Sequence, residues 1–114
     1  MSFSFEIKNE DEILLLILKG SLMNREQAQT MVDDIEHYGM EGTNKVIICL
    51  AEMDYMNSTG LSILINIFTQ VRNKGGDVII TDIPKKINQL LVITKLSSIF
   101  NIEQSVEAAK KILI

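Results

Sequence analysis

Apolar and polar residues alternate in Phe3-Ser4-Phe5-Glu6-Ile7-Lys8, which predicts a strand with one buried and one wet face, at or near a sheet edge. Asn9-Glu10-Asp11 reads as a turn. Ile13 to Leu18 is apolar without alternation and predicts a strand covered on both faces, ended by Lys19-Gly20-Ser21. Lys45 to Leu50 and Asp77 to Thr81 are further short strand-type runs, and Ser98 to Ile102 is a last one.

Between these runs the period changes to that of a helix. Asn24 caps a segment from Arg25 to Tyr38 with Ala28, Met31, Val32, Ile35 and Tyr38 on one face, stopped by Gly39 and Gly42. Leu61 to Lys74 follows, with Leu61, Leu64, Ile65, Phe68 and Val71 inward and Ser62, Asn66, Thr69 and Asn73 outward. Pro84 suits the first turn of a third helix, with Ile87, Leu90, Leu91 and Thr94 on one face. Ser105 caps a fourth, with Val106, Ala109 and Leu113 inward. The alternation predicts an α/β fold: a mixed sheet with an antiparallel first strand pair, the remaining strands largely parallel, flanked by about four helices. Residues 1–114 read as one domain, with no repeat or linker.

Composition narrows the functional classes. The formal net charge of −4 supplies no basic patch for nucleic acid or anionic membrane. No apolar run approaches the ~20 residues needed to cross a bilayer, and Met1 to Glu6 lacks the start of a signal peptide. The single cysteine, Cys49, lies in an apolar strand and reads as a buried small hydrophobe, so the expected setting is cytoplasmic. His37 is the one histidine and sits on a helix face with Asp33 and Glu36. No cluster has metal-ligand spacing, no cofactor motif occurs, and the Ser58 turn is not a nucleophile elbow. Asp54 and Asp82 read as turn residues after strands rather than as a catalytic pair. A non-enzymatic protein is expected.

The distinctive stretch is Asp54-Tyr55-Met56-Asn57-Ser58-Thr59-Gly60-Leu61, between a predicted strand and a predicted helix. Asn57, Ser58 and Thr59 are all capping types. A hydroxyl at the positive end of a helix serves either as a plain cap or as a place where an anion is bound or attached. Gly60 permits a close backbone approach. The turn lies beyond the carboxyl end of its strand, where sites in open α/β sheets gather.

This stretch resembles the signature of STAS domains, and in particular of bacterial anti-sigma factor antagonists. That signature has Asp, two residues, Asp or Asn, Ser, Ser or Thr, Gly, Leu at the same junction. Lys19-Gly20-Ser21-Leu22 is similar to the family's Gly-x-Leu-Asp turn, and Gly75-Gly76 also fits. The resemblance implies Ser58 as phosphoacceptor, with Thr59 as its rival. It implies an anti-sigma factor with serine kinase activity and a serine phosphatase as partners. The unphosphorylated form would bind the anti-sigma factor and free the sigma factor; phosphorylation would end that binding. The partner-binding residues expected are Met23, Asn24, Met56, Asn57, Ser58 and Thr59. The alternatives are a small-molecule or nucleotide-binding module, and a scaffold component without switching.

Two positions depart from the family pattern. Its acidic residue after Gly-x-Leu corresponds to Met23 or Asn24, and a small residue after the third helix corresponds to Lys95. Lysine in a left-handed cap costs about 1 kcal/mol, so another loop shape is expected there.

Overall fold

The computed structural model describes residues 2–113; the expected domain bounds 1 and 114 lie outside them. The strands are β1 Phe3–Glu10, β2 Ile13–Leu22, β3 Lys45–Met56, β4 Asp77–Thr81 and β5 Asn101–Glu103. The helices are α1 Arg25–Met40, α2 Ser58–Asn73, α3 Lys85–Ile93 and α4 Val106–Leu113. The sheet order is β1-β2-β3-β4-β5, with β1 antiparallel to β2 and the other neighbours parallel.

The layering follows from this order. Each parallel crossover steps one strand further in the same direction, and right-handed crossovers in such a series put their helices on one face. Ala28, Met31 and Ile35 of α1, Leu64 and Ile67 of α2, and Ile87 and Leu91 of α3 share a core with Leu14, Leu16, Val46, Ile48 and Ile80. Among the described residues no strand follows β5, and α4 folds onto the opposite face. There Ala109 and Leu113 cover Ile13, Leu15, Ile47, Cys49 and Ile79.

The two longest strands exceed their predicted ends. β2 continues through Lys19-Gly20-Ser21 to Leu22, and β3 runs six residues beyond Leu50, through Asp54, to Met56. The pairing register slips between Ile17 and Lys19 and again between Gly20 and Ser21, each time leaving an extra residue on β3. The bulges keep Leu50, Met53 and Met56 on the same buried face at a spacing of three. A period of two is lost there, which is why this segment reads as a loop in sequence. Gly20 has φ +88°, and a Cβ on it would lie 2.2 Å from the Ser2 carbonyl oxygen.

Smaller differences have local causes. Gly39 lies inside α1, whose last residue is Met40 with Glu41 as its C-cap, and Pro84 is the N-cap of α3 rather than a first-turn residue. Ile63 and Ile67 are buried on α2 while Ile65 and Phe68 only line the core edge. The last strand is shifted, because Leu96–Ser98 forms a 3-10 turn first. Lys95 does adopt the left-handed conformation, φ 64° and ψ 19°, with its amide donating to the Val92 carbonyl at 3.1 Å. The expected change of loop shape is therefore absent.

Candidate functional site

The carboxyl ends of β2 and β3 lie side by side, with Ser21 opposite Tyr55 and Leu22 opposite Met56. Each strand turns directly into a helix, so the start of α1 and the start of α2 are brought together. Asn24 caps α1: its side chain accepts from the Gln27 amide at 2.9 Å, and Gln27 Oε1 accepts from the Asn24 and Met23 amides at 3.2 and 2.8 Å. This reciprocal box fixes the backbone of the β2–α1 turn.

Asn57 does the same work for α2 and more. Its Oδ1 accepts from the Gly60 amide at 3.0 Å, and its Nδ2 donates to the Met23 carbonyl at 3.1 Å. One side chain thus caps a helix and ties it to the neighbouring turn. Gly60 makes the approach possible. A Cβ there would lie 2.6 Å from the Leu22 carbonyl oxygen and 2.9 Å from Met56 Cβ.

Ser58 occupies the first helical position and is exposed; Thr59 is half-buried. Because Asn57 is the cap, the Ser58 side chain is not needed to cap α2. The Leu61 amide makes the first helical bond, to the Asn57 carbonyl at 3.0 Å. The Ser58 and Thr59 amides precede it and belong to the set that a helix leaves without internal acceptors. No acidic residue stands in this first turn. The site is therefore an exposed hydroxyl over free N–H groups at the positive end of a helix dipole, an arrangement that favours negative charge.

Of the residues expected to form the contact surface, Asn24 and Ser58 are exposed, and Met23, Asn57 and Thr59 are half-buried beside them. Met56 differs: it is 1% exposed and packs in the core beneath Gly60. The bulges of β3 turn it inward. Leu22, which reads in sequence as a loop residue, is fully buried at the end of β2. The hydrogen bond from Asn57 to Met23 spans 34 residues and has no local sequence signal.

Away from this site, His37 is exposed and lies 3.1 Å from Glu41. Burial pushes the Cys49 thiol above its ordinary 9.0, and its Sγ stands 3.6 Å from a carboxylate oxygen of Asp82. Such a thiol is a poor nucleophile at neutral pH.

The family model of the STAS domain matches residues 4–109. The chain belongs to the STAS domain family. It is 27% identical over 103 residues to an anti-sigma-B factor antagonist of Listeria monocytogenes, covering 90% of each chain. The crystal structure of the Thermotoga maritima protein TM1081 superposes with a TM-score of 0.85 at 22% identity, covering 96% of this chain and 93% of that one. The Bacillus cell fate determinant SpoIIAA in its phosphorylated form superposes with a TM-score of 0.74 at 14% identity, covering 96% of this chain and 99% of that one. No helix among the described residues is long and apolar enough to cross a membrane.

Proposed function

We propose that this chain is an anti-sigma factor antagonist controlled by phosphorylation of Ser58. The unphosphorylated form binds an anti-sigma factor that is also a serine kinase, and so frees the sigma factor. Phosphorylation ends that binding, and a serine phosphatase restores it. The observation that carries the reading is the division of labour at the start of α2: Asn57 holds the helix, and Ser58 stands exposed with its hydroxyl spare. The names of the similar proteins, an anti-sigma-B factor antagonist and a phosphorylated SpoIIAA, support it.

The chemistry asked of Ser58 is simple. Its Oγ attacks the γ-phosphorus of ATP, the bond to the leaving ADP oxygen breaks, and the hydroxyl proton passes to a kinase base. The product carries roughly −1.5 to −2 charge at pH 7, met on this side by the first-turn amides and the helix dipole. The partner has no such compensation if it was shaped around a neutral hydroxyl. One modification then spares the fold and breaks the complex. The contact surface is the pair of turns: Met23 and Asn24 on one, Asn57, Ser58 and Thr59 on the other.

Incubation with the cognate kinase and ATP, followed by mass mapping, tests the acceptor. Phosphate on Ser58, absent from Ser58→Ala, is the expected result. Phosphate on Thr59 alone would move the site. No phosphate on either residue, with a kinase that binds this protein and phosphorylates another antagonist, would overturn the switch and favour a ligand-binding module.

A further inference from the structure

The turn bearing Ser58 borders a groove that its capping geometry does not use. Tyr55 and Met56 form one wall at the end of β3, and Ile87, Leu90 and Ile93 of α3 form the other, with Lys86 and Gln89 at the rim. The groove encloses about 180 Å3. That is smaller than the roughly 300–1,000 Å3 of small-molecule pockets, and it suits a single large side chain. Two of its residues are strongly exposed for their type: Ile93 at 77% and Tyr55 at 45%. Tyrosine is among the residue types enriched at binding hot spots, and an exposed isoleucine across the groove from it offers further apolar area to a partner.

The rim breaks a local rule. The first turn of α3 carries Lys85 and Lys86, has no acidic residue, and receives no side-chain cap from Pro84. Cations at a helix N-terminus oppose the dipole. Both lysines are exposed, and neither has an ion-pair partner among the described residues. Such uncompensated choices concentrate at functional sites. Lys86 lines the groove with its ammonium group free to meet an acidic group.

We propose that the anti-sigma partner seats one large apolar side chain between Tyr55 and Ile93, beside a carboxylate that pairs with Lys86. The proposal rests on the reading of the chain as an anti-sigma factor antagonist. It divides the interface in two: the Ser58 turn reports phosphorylation, and the groove three residues upstream supplies a constant anchor. Continuity between them is direct, because Tyr55 and Met56 are the last strand residues before Asn57. The groove contains no phosphorylatable switch residue of the Ser58 turn, so its contact depends on shape and on the Lys86 charge.

The test measures binding of the full chain to the purified anti-sigma kinase of its own organism, with Ile93→Glu, Ile93→Leu, Lys86→Glu and Ser58→Asp compared with the wild type. Ile93→Glu is expected to weaken binding by about tenfold or more at an unchanged thermal midpoint, because the position is exposed and leaves the core intact. Ile93→Leu should bind as the wild type does. Lys86→Glu should weaken binding less, and the defect should shrink as salt is raised. Wild-type affinity in Ile93→Glu with loss in Ser58→Asp would overturn the groove and leave the switch standing. The reverse pattern would uphold the groove and overturn the switch. If Ile93→Glu instead converted a dimer into a monomer at unchanged kinase affinity, the groove would be a contact between copies of this chain and the proposal would fail. Absence of wild-type binding would overturn both readings.

Discussion

The side-chain amide of Asn57 donates to the main-chain carbonyl of Met23 at 3.1 Å, joining two turns that are 34 residues apart in the chain. The same side chain accepts from the Gly60 amide at 3.0 Å. Both polar ends of Asn57 are thereby used, and the backbone on either side of the Ser58 hydroxyl is held. Asn57→Ala removes the cap and the tie together. A loss of about 1–2 kcal/mol in denaturant unfolding is expected. Asn57→Asp keeps an acceptor for the Gly60 amide but loses the donor to Met23, and its stability should fall between the two. Equal stability of all three proteins would show that the tie carries no energy.

Gly60→Ala places a methyl group 2.6 Å from the Leu22 carbonyl oxygen and 2.9 Å from Met56 Cβ. Both neighbours are buried strand residues with little room to move. Overpacking of this kind costs about 1–3 kcal/mol, in spite of alanine's better helix propensity. A lowered denaturation midpoint with an unchanged m-value is the expected result; a stabilised variant would contradict the close approach.

Much of the fold is legible along the chain. The apolar run Asp77 to Thr81 coincides with β4, and the strand-helix alternation gives the mixed sheet with its antiparallel first pair. The failures share a cause. Where β3 bulges against β2, buried residues fall three apart at Leu50, Met53 and Met56, and no strand period survives. Asp54 to Met56 then reads as loop, and Met56 as surface. The turn at Ser58 is legible because capping types and Gly60 are local signals. Its tie to Met23 is not, since it depends on strand pairing between distant segments.

Lys95 sits at φ 64° as a non-glycine residue. The left-handed region costs a side chain about 1 kcal/mol, partly offset by the freedom glycine adds to the unfolded chain. Lys95→Gly should therefore gain roughly a few tenths of a kcal/mol of stability, read from thermal unfolding, with partner affinity unchanged. A loss of stability would mean that the lysine side chain makes a compensating contact.

Burial raises the Cys49 pKa above 9.0 in the folded protein. The folded state then keeps its proton to higher pH than the unfolded chain does. This contribution is complete below the unfolded pKa and is lost as pH rises through the folded value. Cys49→Ala should flatten the decline of stability above about pH 9, compared slope against slope with the wild type. Thiol labelling of the native wild type should be slow and should track unfolding. Rapid labelling would show that the strand opens or that the thiol is activated.

In the proposed switch, charge on Ser58 leaves the fold intact and breaks the complex. The direct measurement is the affinity of protein phosphorylated stoichiometrically on Ser58 for the anti-sigma kinase, taken together with its thermal midpoint. The unphosphorylated protein and Ser58→Ala should bind alike. Ser58→Ala should lose well under the ~1 kcal/mol of a true cap, because Asn57 supplies that bond. The phosphorylated protein should melt at or above the unmodified midpoint while its affinity falls by about a hundredfold, in line with a desolvated charge mismatch of a few kcal/mol. Phosphorylated protein that binds as tightly as the unmodified form, or that loses binding only because it unfolds, would overturn the switch.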